Sequence, residues 1–160
     1  MPSTETIDSL DARILLALDK DPDTTTLALA RSLGIARNTA HARLRHMTES
    51  GALTSFSHRV DPAAVGHGLV AFVSLAISQA RSERAVAELA RIPQVLEMHA
   101  TTGDMDLLLK VVARDTDDLY RITNAMLSID GVGRSNTTIS LRTPVPYRLE
   151  PLLRHLYDAE

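Results

Sequence analysis

The sequence predicts an α+β chain in which an N-terminal helix-turn-helix domain is joined by a linker strand to a ferredoxin-like βαββαβ sandwich. Three observations predict it. Apolar residues recur three times at helical spacing before residue 50, with a glycine turn between the second and third runs. From Leu53 the pattern changes to alternation, and beyond Leu69 a strand–helix–strand order occurs twice. The expected boundaries are 1–52 for the helical domain, 53–68 for the linker strand and hinge, 69–142 for the sandwich and 143–160 for a helical tail.

The first helix places Ile7, Leu10, Ile14 and Leu18 on one stripe, with Asp8 as cap and Asp11 in the first turn, where a carboxylate suits the helix dipole. It ends near Asp21-Pro22. Thr25 caps a second, two-turn helix carrying Leu27, Ala30 and Leu33, and Gly34 supplies its left-handed stop. The third runs from Arg37 to Ser50, with Ala40, Leu44 and Met47 inward and Gly51 after it.

Leu53 to Val60 alternates apolar and polar and reads as the linker strand; Asp61-Pro62 and Gly66-His67-Gly68 follow as hinge. Leu69 to Ile77 is the first sandwich strand. Ser82 caps a helix with Val86, Leu89 and Ala90 inward, Pro93 stops it, and Val95 to Ala100 is the second strand. Asp106 to Ala113 is the third; Asp115 or Thr116 caps a helix with Leu119, Ile122, Met126 and Ile129 inward. Gly131 and Gly133 mark a turn before the last strand, Thr137 to Leu141. The tail carries Leu149, Leu152, Leu153 and Leu156 and reads as a packing or oligomer contact.

Composition narrows the function. Apolar residues make up 44% and charged residues 23%, which excludes a disordered chain, and a net charge of -3 excludes a basic coat protein. Without cysteine there is no disulfide scaffold, thiolate zinc site or cysteine nucleophile. The longest apolar run, Leu69–Ile77, is too short to span a bilayer, and the N-terminus lacks a secretory pattern, so the expected location is cytoplasmic, with no membrane partner.

The net charge hides an asymmetry. Residues 1–30 hold two basic against six acidic side chains, whereas residues 31–59 hold Arg31, Arg37, Arg43, Arg45 and Arg59 against Glu49 alone. On the third helix the outward positions are Arg37, Asn38, Thr39, His41, Ala42, Arg45 and His46. These types suit a major groove: Arg forks onto guanine, Asn onto adenine, and Thr and Ala meet the thymine methyl. Double-stranded DNA is therefore the expected partner. Two sandwich strands are apolar at almost every position, while two helices cover only one face, which predicts that a second copy covers the other.

Helix-turn-helix, linker and sandwich, with Gly103-Asp104-Met105-Asp106-Leu107-Leu108-Leu109-Lys110 between strands and Ile7-Asp8-x-x-Asp11-x-x-Ile14-Leu15 at the start, resemble the Lrp/AsnC (leucine-responsive, feast/famine) regulators over residues 7–142. The resemblance implies a transcription regulator whose dimers assemble into higher oligomers and which senses an amino acid or related metabolite near the Gly-Asp loop. It points to Thr101, Thr102, Gly103, Asp104 and Met105, with Thr137 and Thr138 as contributors. Asp104 can meet an ammonium, Gly103 lets a ligand approach the backbone, and the threonines supply hydroxyls. Met105 and Leu107 favour an apolar or aromatic amino acid. The sequence departs from the family at Ala36, where Ser is usual and caps the recognition helix, leaving that role to Asn38 or Thr39, and at Ala28, where Glu is frequent.

Two other readings fit parts of the sequence. Siroheme decarboxylases share the architecture but need His and Arg gathered in the sandwich; here His41, His46 and His58 lie on the basic N-terminal stretch, and His99 is the one histidine in a predicted sandwich strand. A metabolite-binding module without DNA binding leaves the outward Arg and Asn unexplained. Asp104 and Asp106 resemble a carboxylate pair, yet a Gly-Asp turn accounts for Asp104. His41 and His46 are five apart, the wrong spacing for a helical metal pair. No catalytic residue, metal or cofactor is expected, and the chain reads as a non-enzyme.

Overall fold

A computed structural model describes residues 6–158, so the Met1–Glu5 part of the segment tested for a secretory signal and the last two residues of the tail lie outside the described residues. Contacts divide the chain into two units, one of residues 1–58 with 145–160, the other of residues 59–144.

The first unit holds α1 (Ser9–Lys20), α2 (Thr26–Leu33), α3 (Arg37–Glu49) and α6 (Glu150–Asp158). Asp8 and Asp11 form a reciprocal capping box on α1, and Thr25 Oγ1 accepts the Ala28 N–H at 3.2 Å to cap α2. Gly34 adopts φ 69°, the left-handed value that lets the chain leave α2 for α3 within three residues. Arg13 donates to the Leu33 carbonyl at 3.1 Å and so satisfies an open acceptor at the end of α2. Ile14, Leu29 and Met47 form the core, flanked by Leu10, Leu18, Leu33 and Leu44. The tail helix α6 packs on α1 and buries Leu153, which makes it a fourth helix of this unit.

The second unit is a four-stranded antiparallel sheet of order β2-β3-β1-β4, formed by β1 (Leu69–Ile77), β2 (Val95–Ala100), β3 (Leu107–Ala113) and β4 (Val132–Ile139). One face lies under α4 (Ser82–Leu89) and α5 (Thr116–Leu127). Ala71, Val73 and Leu75 of β1 alternate with Leu107, Leu109 and Val111 of β3 on this face, against Leu89, Leu119, Ile122 and Met126.

Four expectations need correction. No strand occurs within 53–68; residues 56–59 and 62–65 are short 3-10 turns, because alternation alone makes no strand without a sheet edge to pair with. The last strand begins at Val132, five residues early: Gly133 lies within it as the extra residue of a bulge between the Ala76–Arg134 and Ile77–Val132 pairs, and Leu141 lies past the strand, 95% exposed. Ser82 is the first residue of α4 and caps nothing, since a 3-10 turn of residues 79–81 runs straight into the helix. That shift turns Ala85 inward beside Leu89, which is buried as expected, and leaves Val86 and Ala90 exposed.

The opposite face of the sheet is more mixed than its central strands suggested. Val70, Phe72 and Leu108 occupy its middle, whereas the outer strands contribute Glu97 and His99 on one side and Arg134, Asn136 and Thr138 on the other. Lys110 donates to Glu97 at 2.9 Å across this surface.

Candidate nucleic-acid interface and effector loop

Burial of Ala40 and Met47 on α3 fixes which face remains. Arg37, Asn38, Thr39, His41, Ala42, Arg45 and His46 are all exposed, so the structure brings every residue expected at the DNA surface onto one helix. Arg45 makes only a loose exposed pair with Glu49 at 3.6 Å, a contact that a phosphate or base edge can replace at small cost. Arg43 entered the charge count of residues 31–59 but not the outward set. It turns back onto α1, pairing with Asp8 and, at 3.3 Å, with Asp11, and is withdrawn from the basic surface that residues 31–59 promised. The cap of α3 departs from the sequence expectation: Ala36 holds the N-cap position, and neither Asn38 nor Thr39 makes a side-chain cap bond there, because both already lie inside the helix with their side chains turned out.

In the second unit, residues 101–106 connect β2 to β3 at the sheet end where Ala100 pairs with Leu107 and Leu107 with Leu75. Thr101 closes the loop twice, its N–H donating to the Asp106 carbonyl and its hydroxyl to the Met105 carbonyl, both at 2.9 Å. Gly103 sits at the loop tip with φ 111°, which any side chain would strain. Thr102 and Asp104 are exposed and Met105 half-buried.

Two residues here were missed from sequence. Asp106 is structural: its carboxylate accepts the Ile77 N–H at 2.8 Å and adds one rung to the β1–β3 ladder beyond Leu75. Arg134, near the start of β4, donates to the Asp104 carbonyl at 3.2 Å and is the β4 side chain that stands at the loop. An isolated arginine after a Gly-x-Gly turn gave no sequence signal for its contact, and Asp106, named in sequence only beside Asp104, gave none for its bond to β1. Thr137 and Thr138 do not join this group. They pair with Val73 and Phe72, further along β4, and as strand neighbours they point to opposite faces, so they cannot both line one pocket. Leu107 is likewise removed from ligand selection, since it is buried beneath the helices.

Among the described residues no group of three His, Asp or Glu side chains is arranged to hold a metal ion. No described helix is long and apolar enough to cross a membrane.

Comparison with known proteins adds to this geometry. The family model for the Lrp/AsnC ligand-binding domain matches residues 70–149, and a winged helix-turn-helix DNA-binding model matches residues 7–54. The chain is 40% identical to the HTH-type transcriptional regulator AldR of Mycolicibacterium smegmatis over 127 residues, 78% of this chain and 74% of that protein. Its structure resembles Escherichia coli AsnC with a TM-score of 0.81 and 30% identity, over 91% of this chain and 99% of the other. A transcriptional regulator of Neisseria meningitidis, solved as its complex with L-Met, gives a TM-score of 0.76 and 25% identity over 92% and 99% of the two chains.

Proposed function

The chain belongs to the Lrp/AsnC family of DNA-binding transcriptional regulators, with a ligand-binding domain following its helix-turn-helix, and we propose that α3 reads base edges while an amino acid bound at the loop of residues 101–105 modulates that reading. It is a regulator and not an enzyme. The observation that supports the DNA reading best is the exposed face of α3, which gathers Arg37, Asn38, Thr39, His41, Ala42, Arg45 and His46, with Glu49 at the far end of the helix as its acidic residue. The active form in this reading is a homodimer, and beyond it a higher oligomer, paired through the sheet face around Phe72 and working in the cytoplasm.

The test is fluorescence anisotropy with a duplex selected from a random-sequence library. Arg45→Ala or Asn38→Ala is expected to cost about 1–3 kcal/mol on that duplex and to relax base preference. Arg37, at the helix start, is expected to hold phosphate, so Arg37→Ala weakens all sequences alike and lowers the salt slope by about one. Unchanged affinity in all three variants would remove DNA reading from α3.

The effector reading rests on different residues. A free amino acid needs an acceptor for its ammonium and donors for its carboxylate; Asp104 offers the first, Thr102 and open backbone at Gly103 the second, while Thr101 spends its donors on holding the loop closed. Met105, half-buried beside them, favours an apolar side chain, in keeping with the L-Met bound to the Neisseria relative. Calorimetry with L-Met, L-Leu, L-Phe, L-Lys and L-Asn should give tightest binding to one of the first three, lost in Asp104→Ala. Full-strength binding by Asp104→Ala would move the pocket elsewhere.

A further inference from the structure

We propose that Arg43 positions the recognition helix, its guanidinium locking α3 to the Asp8–Asp11 capping box of α1 so that the outward face is held at one rotation about the helix axis. The inference rests on the reading of α3 as the DNA-contacting helix.

The arrangement couples a local cap to a distant element. Asp8 Oδ1 accepts the Asp11 N–H at 2.9 Å, and Asp11 Oδ2 accepts the Asp8 N–H at 3.2 Å. The remaining Asp8 oxygen and the same Asp11 Oδ2 both face Arg43 Nη1, which comes from more than thirty residues along the chain. The Asp11 side chain is only 5% exposed, and its Oδ1 has no hydrogen-bond partner. Arg43 is therefore the neutralising charge for a carboxylate that water barely reaches. Without it, two carboxylates three residues apart would repel, one of them in a poorly hydrated place. The Asp8 carboxyl is held below its usual range, first by the Asp11 N–H and then by Arg43, while Arg43 is raised by its bond to Asp8. The lock stays charged at neutral pH.

Its place on α3 gives it a rotational role. Residues three and four positions away are neighbours on a helix: Ala40 and Met47 flank Arg43 toward the core, Thr39 and His46 toward solvent. Arg43 thus stands on the border between the packed face and the reading face. Ala40 is small and Met47 adaptable, so apolar packing alone tolerates a few degrees of rotation. An ion pair to two carboxylates does not, since rotation lengthens one bond or the other.

The experiment compares the intact protein with Arg43→Ala, Arg43→Lys and Asp8→Asn, on a selected duplex and a scrambled one, across salt, at a temperature well below each variant's melting point. Asp8→Asn keeps an acceptor for the Asp11 N–H but removes the charge facing Arg43. The expected result for Arg43→Ala is a loss of at least about tenfold on the selected duplex with a smaller loss on the scrambled one, and an unchanged salt slope. Arg43→Lys should recover part of that loss, and Asp8→Asn should reproduce part of it; these two decide the matter if Arg43→Ala does not fold. Equal loss on both duplexes with a salt slope lowered by about one would make Arg43 a phosphate contact and overturn the proposal. A lowered melting point with unchanged selectivity would overturn it too, leaving only a structural role. Should the intact protein select no duplex, the DNA reading fails, and hydrogen exchange then judges the lock: Arg43→Lys must loosen α3 amides more than α2 amides, and equal loosening overturns it.

Discussion

The two units end in surfaces of opposite chemistry. On α3 the exposed side chains are mostly polar or basic, with Glu49 at the helix end as the acidic exception, and form a surface complete within one chain, needing only a polyanion opposite. On the sheet the uncovered middle is apolar, with Phe72 41% exposed, between charged and polar edges contributed by the outer strands. In the dimer proposed above, such a surface is one half of an interface. The difference teaches that a nucleic-acid face can be recognised from one chain's charges, whereas a face completed by a second copy appears first as a contradiction in burial.

The strongest way to break this comparison is to charge both faces of β1 in turn. Val73 is fully buried under the helices, so Val73→Asp should unfold the sheet unit, while Phe72→Asp should stay folded and lose the dimer. Two carboxylates brought together across a twofold interface should weaken pairing by at least about 3 kcal/mol. Sedimentation at micromolar concentration reads both. A parent protein that already runs at 17.4 kDa would remove the second copy from that face.

What the sequence made legible follows the same division. Helices α1 to α3 and the outward set on α3 were readable, because the caps of α1 and α2, the glycine stop and most of the apolar period are local; the cap of α3 was not, and on α2 it is Leu29, and not Leu27, that enters the core. Arg43 was counted in the basic stretch and left out of the outward set, but its role could not be read, since its two partners lie 32 and 35 positions away and no local pattern marks a bracing arginine. Strands β1 and β2 matched to the residue, but β4 was started late because Gly133 looked like a turn and is in fact the bulge residue of a strand already begun. The loop of residues 101–106 was found from its Gly-Asp pair; Arg134 was not, because sheet order, which sequence does not display, brings β4 to that end.

A second cut separates the units by stability. Leu153 is 4% exposed on α6, which packs on α1, so Leu153→Ala should cost about 2–5 kcal/mol. The loss should appear in hydrogen exchange of α1 and α3 amides and leave the sheet amides protected. Equal loss of protection in the sheet would mean that the two units unfold as one.

Acid separates them more gently. The buried Asp118 carboxylate accepts from Arg114 Nε at 3.2 Å, from Arg121 at 2.6 Å and from the Arg114 N–H at 3.1 Å, and Arg114 foremost holds its pKa far below the usual carboxylate range. A depressed folded pKa contributes stability in full above the unfolded value of 3.8 and loses it as pH falls below that value. Asp8 in the helical unit titrates in the same direction, though its side chain is 45% exposed and the effect correspondingly smaller. Asp118→Asn should therefore melt lower than the parent at pH 7, with the gap narrowing below about pH 4. A gap independent of pH would show that Asp118 acts as a hydrogen-bond acceptor alone.

The smallest effect is a gain. Ala36 holds the N-cap of α3 in the extended conformation, φ -68° and ψ 145°, with no side chain to accept an open N–H of the first turn. That backbone is already the one a capping serine uses, so Ala36→Ser requires no rearrangement and should add about 0.5–2 kcal/mol. The gain belongs to the helical unit alone: α3 amides should exchange more slowly while amides of β1 and β3 remain unchanged. Because the new bond satisfies the helix from its end and leaves the lock at Arg43 untouched, selectivity between duplexes should hold even as stability rises. A variant that gains stability and loses selectivity would show that the first turn of α3 must stay open to meet DNA, and that the alanine is suited to its place.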